Sequence, residues 1–215
     1  PFVTLKMAQS LDGKIASRTG ESRWISGLEA RKWVHKLRTK SDAILIGKNT
    51  VLRDDPRLTA RSGRISRKPW RIVLDEKGSI SPGARLFKTE GPVVLACSQK
   101  FFKPALNKFR NTKVTILPLA AVQGKVALSE LLRKLGLLGI TSLLIEGGGE
   151  VAWSFFEAGF VDKVVWIVAP KIIGGREAKT SVEGRGISSL TQAFPVCQSR
   201  CIRLGDDFAI EGYVN

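Results

Sequence analysis

The chain opens on alternation. Val3, Leu5 and Met7 fall on one side of residues 2–9 and Thr4, Lys6 and Ala8 on the other, the two-residue period of a strand, which Ser10, Asp12 and Gly13 then break. Ser26-Gly27-Leu28-Glu29 has the spacing of a capping box, and Ala30, Trp33, Val34 and Leu37 follow at helical spacing, so a helix is predicted over 27–39. Residues 43–47 (AILIG) are apolar throughout, as in a strand covered on both faces. Similar runs at 71–74, 93–97, 114–117, 142–145 and 164–169 are separated by helical stretches, notably 126–135 and 151–156. That order predicts an α/β fold with a mostly parallel central sheet flanked by helices. Residues 197–204 and 208–214, joined by Gly205-Asp206-Asp207, predict a closing C-terminal antiparallel hairpin. No internal repeat, low-complexity tract or linker divides the pattern, so one domain over 1–215 is expected. Because the chain starts at Pro1, that domain is expected to be excised from a longer protein.

Composition narrows the classes. With 43% apolar and 25% charged residues over 215 positions, the chain is globular and can bury a core without staples. Cys97, Cys197 and Cys201 form no CxxC pair, and His35 is the single histidine, so no metal site is expected and a His-dependent hydrolase has little to work with. No apolar run reaches the roughly 20 residues of a bilayer span, and no secretory signal opens the chain. The expectation is a protein that is not secreted and not in a membrane, placed in the cytoplasm or, in a eukaryote, an organelle stroma.

Charge changes the picture more. Residues 1–110 carry 24 Lys plus Arg against 9 Asp plus Glu, and residues 111–215 carry 11 against 10, so the formal +16 sits almost wholly in the first half. Such a field attracts phosphorylated ligands or nucleic acid. No zinc finger, RNP-type aromatic motif or unbroken basic block is present, so no nucleic acid is expected and small anions fit better. The densest cluster, Arg61 to Arg71, is interrupted by Gly, Ser and Pro and reads as a solvated loop.

Three segments are candidates for chemistry. In Leu143-Leu144-Ile145-Glu146-Gly147-Gly148-Gly149-Glu150-Val151, a strand runs into a carboxylate, then three glycines, then a helix whose amino end suits a pyrophosphate. Equally, this is a tight strand-to-helix turn with a solvated Glu146. In Gly47 to Pro56, Thr50 and the carboxylates of Asp54 and Asp55 can bond a ribose or amide, although Asp55-Pro56 alone is ordinary turn chemistry. In Gly20 to Ile25, Ser22 and Trp24 bracket Arg23, with packing the plainer role for the indole. Lys6 is the odd residue of the first strand: a central position would aim its ammonium along a cleft or at an anion.

Taken in order, Pro1 to Lys6 with Ser10 to Ala16, Gly20 to Ile25, Asp42 to Gly47, Thr50 to Thr59, Ile145 to Gly148, Val161-Asp162 and Ala169 to Gly175 resemble the riboflavin-biosynthesis pyrimidine reductase domain of the RibD C-terminal type. The resemblance implies a dihydrofolate-reductase-like fold, a homodimer, and NADPH-dependent reduction of the ribosyl group of 5-amino-6-(5-phosphoribosylamino)uracil to ribityl. It implies substrate contacts at Ser22, Arg38, Leu58, Arg61 and Glu146, with Lys6 close by. Cofactor contacts are implied at Ala8, Trp24, Thr50, Asp54, Gly148, Gly149, Glu150, Val151, Ala152, Trp153 and Ser154. Arg38 and Arg61 can then fork around the substrate phosphate. Lys6, Asp54 and Glu146 are the candidates for the catalytic proton relay. In the stretch Asp75 to Ser79, near the adenosine end in the family, Glu76 would repel a 2′-phosphate while Lys77 or Ser79 would accept it. The H-x-E and P-C-x-x-C pair of the fused zinc deaminase is missing, so no deamination is expected. The rival readings are the same fold reducing another substrate such as dihydrofolate, a basic RNA- or polyanion-binding module, and a silent structural copy.

Overall fold

A computed structural model describes residues 1–61, 68–122 and 124–214. Its strands are β1 (Phe2–Ser10), β2 (Ala43–Gly47), β3 (Trp70–Leu74), β4 (Val93–Ser98), β5 (Val114–Leu119), the short β6 (Ala121–Val122) and β7 (Lys125–Val126), β8 (Ser142–Ile145), β9 (Lys163–Ala169), β10 (Val196–Leu204) and β11 (Asp207–Val214). The helices are α1 (Leu28–Lys40), α2 (Lys48–Asp54), α3 (Arg85–Lys88), α4 (Phe102–Phe109), α5 (Leu128–Leu137) and α6 (Gly149–Glu157). The chain divides into two compact units, one of residues 1–2 and 36–143 and another of residues 3–35 and 144–215.

In the first unit β2, β3, β4 and β5 pair in that order, all parallel, with Ile44 opposite Arg71, Arg71 opposite Val93 and Val93 opposite Val114. Every residue of β2 and β4 is buried, as the unbroken apolar runs predict. Alternate positions Ile44, Ile46, Val73, Val93, Leu95, Cys97 and Ile116 form one core with Val51 of α2, Leu86 of α3 and Ala105 and Phe109 of α4. The unit is closed at Asp42, whose Oδ2 accepts from the N–H and hydroxyl groups of both Thr141 and Ser142 (2.7–3.0 Å); the Thr141 hydroxyl contributes most to holding its carboxyl at about 2.

In the second unit β10, β11, β9 and β1 pair in that order. β1 and β9 are parallel, while β11 runs antiparallel to both neighbours, which is the closing hairpin expected. Its turn is the two-residue Gly205-Asp206, with a bulge in β10 between Cys197 and Arg200. Ala30 and Val34 of α1 pack on Ile167 and Ala209, with Ala8 and Trp33 alongside. The expected capping box is replaced by a tertiary contact: Asp207 Oδ2 accepts the Gly27 N–H (2.6 Å), and Glu29 pairs with Lys32 (2.8 Å).

Candidate active site

The second unit holds the triple-glycine turn. Glu146, just past β8, is half-buried, and Gly148 caps α6 at φ −71°, ψ 171° with no side-chain cap. The first bond into the helix runs from Ala152 N–H to Gly148 O (3.1 Å), so the N–H groups of Gly149, Glu150 and Val151 have no acceptor inside the helix. They carry the positive end of the helix dipole and suit a phosphate. The need for glycine at 149 has another origin. A Cβ there would stand 2.6 Å from both Glu183 Cγ and Thr180 O, while Glu183 N–H donates to Gly149 O (3.2 Å). Close packing of residues 180–183 sets that residue. Further along α6, Ala152 and Trp153 are buried, and the indole lies against Gly184 and edge-on to Phe194 at 6.3 Å. Ser154 Oγ donates back to Glu150 O (2.8 Å). Within 148–154, then, Glu150 is exposed, Gly148, Val151 and Ser154 are half-buried, and Gly149, Ala152 and Trp153 are buried.

Lys6 and Ala8 lie half-buried in β1, opposite Val165 and Ile167 of β9. Ser22 is half-buried, and Trp24 is 63% exposed with Arg31 over its ring at 4.3 Å and Arg23 at 5.7 Å. Lys171 Nζ donates to Trp24 O (2.9 Å). The segment that follows Lys171 is tied to the end of β1 by Asp12, which accepts from Ser10 Oγ (2.5 Å) and from the N–H groups of Ile173 (3.1 Å) and Gly174 (2.6 Å). Those donors, the Ser10 hydroxyl first, lower its carboxyl to about 2.

In the first unit, Arg38 Nη1 donates to Thr59 O (3.1 Å), gripping the backbone two residues before Arg61. Leu58, buried with φ +49°, and Arg61 line a cavity of about 580 Å³. Arg38 of α1 is therefore bonded to the short stretch that carries Leu58 and Arg61. Thr50 and Asp54 lie one turn apart on α2, both half-buried. Asp55 caps α2 in the left-handed region, and its Oδ1 accepts Arg85 N–H (2.8 Å), which commits that carboxylate to structure. In the stretch Asp75 to Ser79, Ser79 Oγ donates to Asp75 (3.2 Å) and Lys77 is exposed. Lys108 Nζ donates to Ser79 O (2.6 Å), a cation at this turn that only the tertiary fold reveals. Among the described residues no group of three or more His, Cys, Asp or Glu could hold a metal ion, and no helix is long and apolar enough to cross a membrane.

The model of the RibD C-terminal domain matches residues 1–205. The chain belongs to the RibD C-terminal domain family. It is 38% identical, over 98% of its length and 97% of the relative's, to the 2,5-diamino-6-ribosylamino-4(3H)-pyrimidinone 5′-phosphate reductase of Methanothermobacter thermautotrophicus. The structure of Acinetobacter baumannii RibD superposes with a TM-score of 0.85 at 26% identity, covering all of this chain and 58% of that one. The chain spans a little over half the length of the RibD proteins it matches. A dihydrofolate reductase from Enterococcus faecalis superposes at TM-score 0.52 and 14% identity, covering 99% of this chain and 96% of that one, so the expected dihydrofolate-reductase-like α/β fold is what the chain adopts.

Four cations that sequence reasoning did not single out, Arg57, Arg71, Arg85 and Lys88, line the Leu58 cavity. Their signal was scattered over 57–88, and Arg71 sat within an apolar strand run.

Proposed function

We propose that residues 1–215 act as one reductase domain that uses NADPH to convert the ribosyl group of 5-amino-6-(5-phosphoribosylamino)uracil to ribityl. The observation that carries this reading is the match along nearly the full length of both chains to the archaeal pyrimidinone phosphate reductase. The residues fit the cofactor: the uncapped first turn of α6 offers three amide donors to a pyrophosphate. Lys77 and Lys108, at the turn after β3, supply cations for a 2′-phosphate. When bound, NADPH supplies the hydride. The protein's part is orientation and proton handling.

The proposed substrate contacts are Arg38, Leu58 and Arg61 in the first unit and Ser22 and Glu146 in the second. The proposed cofactor contacts are Thr50 and Asp54 in the first, with Ala8, Trp24 and residues 148–154 in the second. Opening the ribose ring and protonating its nitrogen require an acid, a role assigned to Lys6, Asp54 or Glu146. The working assembly is proposed as a homodimer in the cytoplasm or an organelle stroma, without a nucleic-acid partner.

The test is NADPH oxidation with the phosphoribosyl pyrimidine as substrate, beside NADH and beside the dephosphorylated substrate. Turnover with the first pair, weakened by either change, is expected; turnover of dihydrofolate alone would replace the substrate assignment. Glu146→Gln should lower kcat or raise KM for the pyrimidine at least tenfold while the NADPH Kd holds within about twofold. The diaminopyrimidinone phosphate for which the archaeal reductase is named is the second substrate to assay, since it differs at the base and keeps the phosphoribosyl end.

A further inference from the structure

In the second unit, the loop that carries Ser22 and Trp24 is held by two cations from different elements. Lys171 follows β9, and its backbone is fixed at the carboxyl ends of β9 and β1. Its N–H donates to Ala169 O (2.7 Å), its carbonyl accepts Leu11 N–H (2.8 Å), and the N–H groups of Ile173 and Gly174 just beyond it donate to Asp12. From that base the ammonium reaches across 147 positions of chain to the carbonyl of Trp24 (2.9 Å). The second cation is Arg31, near the start of α1. Its guanidinium lies over the Trp24 ring at 4.3 Å, and its Nη1 donates to Ser26 O (3.4 Å). One residue is thus gripped at its main chain by one element and at its ring by another.

Stability is a poor reason for this arrangement. The Trp24 indole is 63% exposed, so stacking on it removes little apolar surface from water. Lys171 is exposed too, and its bond to a neutral carbonyl must offset the rotamer freedom of a long side chain. What the two contacts fix is direction. A bonded carbonyl sets the path of the loop, and a guanidinium stacked on the ring favours one side-chain rotamer while most of the indole stays open.

We propose that Lys171 and Arg31 are positioning residues: they hold the loop over 22–26 so that the exposed indole of Trp24 is preset for the cofactor, with Ser22 carried beside it. The proposal rests on the reductase reading, which counts Trp24 among the cofactor contacts and Ser22 among the substrate contacts. Neither Lys171 nor Arg31 is given a contact with either ligand. A loop anchored before binding lowers the ordering cost of binding, so loss of an anchor is read in affinity more than in the chemical step.

The experiment has two readouts on the intact chain. One is NADPH affinity by calorimetry. The other, without cofactor, is acrylamide quenching of Trp24, taken as the difference between each protein and its Trp24→Phe counterpart. Lys171→Met and Arg31→Gln should each raise the NADPH Kd about three- to tenfold and increase the quenching of Trp24, and Lys171→Arg should restore both. In steady state the KM for NADPH should rise with Kd while kcat stays within about twofold. The charge-matched control is Arg176→Met, an exposed cation of the same segment, which should leave Kd and quenching unchanged. Equal loss of affinity in Arg176→Met assigns the effect to the general field and overturns the proposal, as does unchanged quenching in both anchor variants. Tight NADPH binding with an unchanged Kd in both variants overturns it and leaves the reductase reading standing. If the intact chain binds no NADPH, the reductase reading fails, and the quenching still decides whether Lys171 and Arg31 hold the loop.

Discussion

Each unit buries charged side chains, Arg71 and Asp75 in the first and Asp207 and Glu211 in the second, and Arg71 and Glu211 are treated in opposite ways. In the first unit Arg71 is enclosed among neutral carbonyls, whereas in the second Glu211, 3% exposed, is paired with Lys163 (3.3 Å) and with Arg200. Both side chains are hydrogen-bonded or ion-paired, but only the glutamate is neutralised. A paired charge steadies the sheet and has little field left over. A charge held by carbonyl dipoles keeps its field, and in the first unit that field points into a concavity ringed by other cations. The contrast separates a buried charge that is ion-paired from one that is held only by backbone dipoles.

The comparison can be broken at five residues, from the largest expected effect downward. Arg71→Met should cost about 3 to 5 kcal/mol in urea unfolding, because three carbonyls, that of Leu86 buried and those of Thr89 and Gly91 partly so, lose their donor at once. Gly184→Ala in the second unit should cost about 2 to 3 kcal/mol. It needs φ +79°, and the new methyl would stand 2.0 Å from Trp153 Cδ1, with backbone and indole both resisting. Glu211→Gln should cost about 1 kcal/mol, much less than Arg71→Met, since Arg200 is 70% exposed and can be rehydrated. A larger loss from Glu211→Gln than from Arg71→Met would reverse the proposed ranking of the two buried charges.

The smallest effect is read from pH. Asp42 in the first unit and Asp12 in the second both titrate at about 2 when folded, below their ordinary 3.8. Because folding lowers these values, their contribution is complete above about pH 4 and disappears as pH falls through about 2. Asp42→Asn and Asp12→Asn should each flatten the acid limb of a stability-versus-pH curve in that window and leave its neutral region with the same slope. An unchanged acid limb in either variant would show that its hydrogen bonds do not hold the carboxylate ionised.

Some elements were readable residue by residue. The runs at 43–47 and 142–145 coincide with β2 and β8, and the segments predicted as 27–39 and 151–156 became α1 and α6 with small shifts at their ends. Continuous burial gives an apolar run no competing interpretation, and a long amphipathic stripe tolerates few frames. The helices α2, α3 and α4 were not named from the pattern. They are four to eight residues long, too short for a period to declare itself, and their burial comes from the sheet beneath them. The cluster from Arg61 to Arg71 shows the same limit. It was expected as solvated loop, yet its last member is among the most buried side chains of the chain. Residues 62–67 of that cluster lie outside the described residues.

For the candidate site, the ordered motifs named Lys6, Ser22, Arg38, Thr50, Asp54, Leu58, Arg61 and Glu146 because their residue types and order are recorded in the chain itself. The sequence alone also determined the alternation of strands and helices, the family, and the excess of cations in the first half. The tertiary structure decided what each group is bonded to: that Gly149 is set by the approach of residues 180–183, that Asp55 caps a helix, that Trp153 is enclosed, and that Arg57, Arg71, Arg85 and Lys88 face one cavity. The physical reason is range. Backbone propensity and hydrophobic period act over a few neighbouring residues, whereas a pocket and its field are sums over side chains tens of positions apart that only the folded sheet brings together.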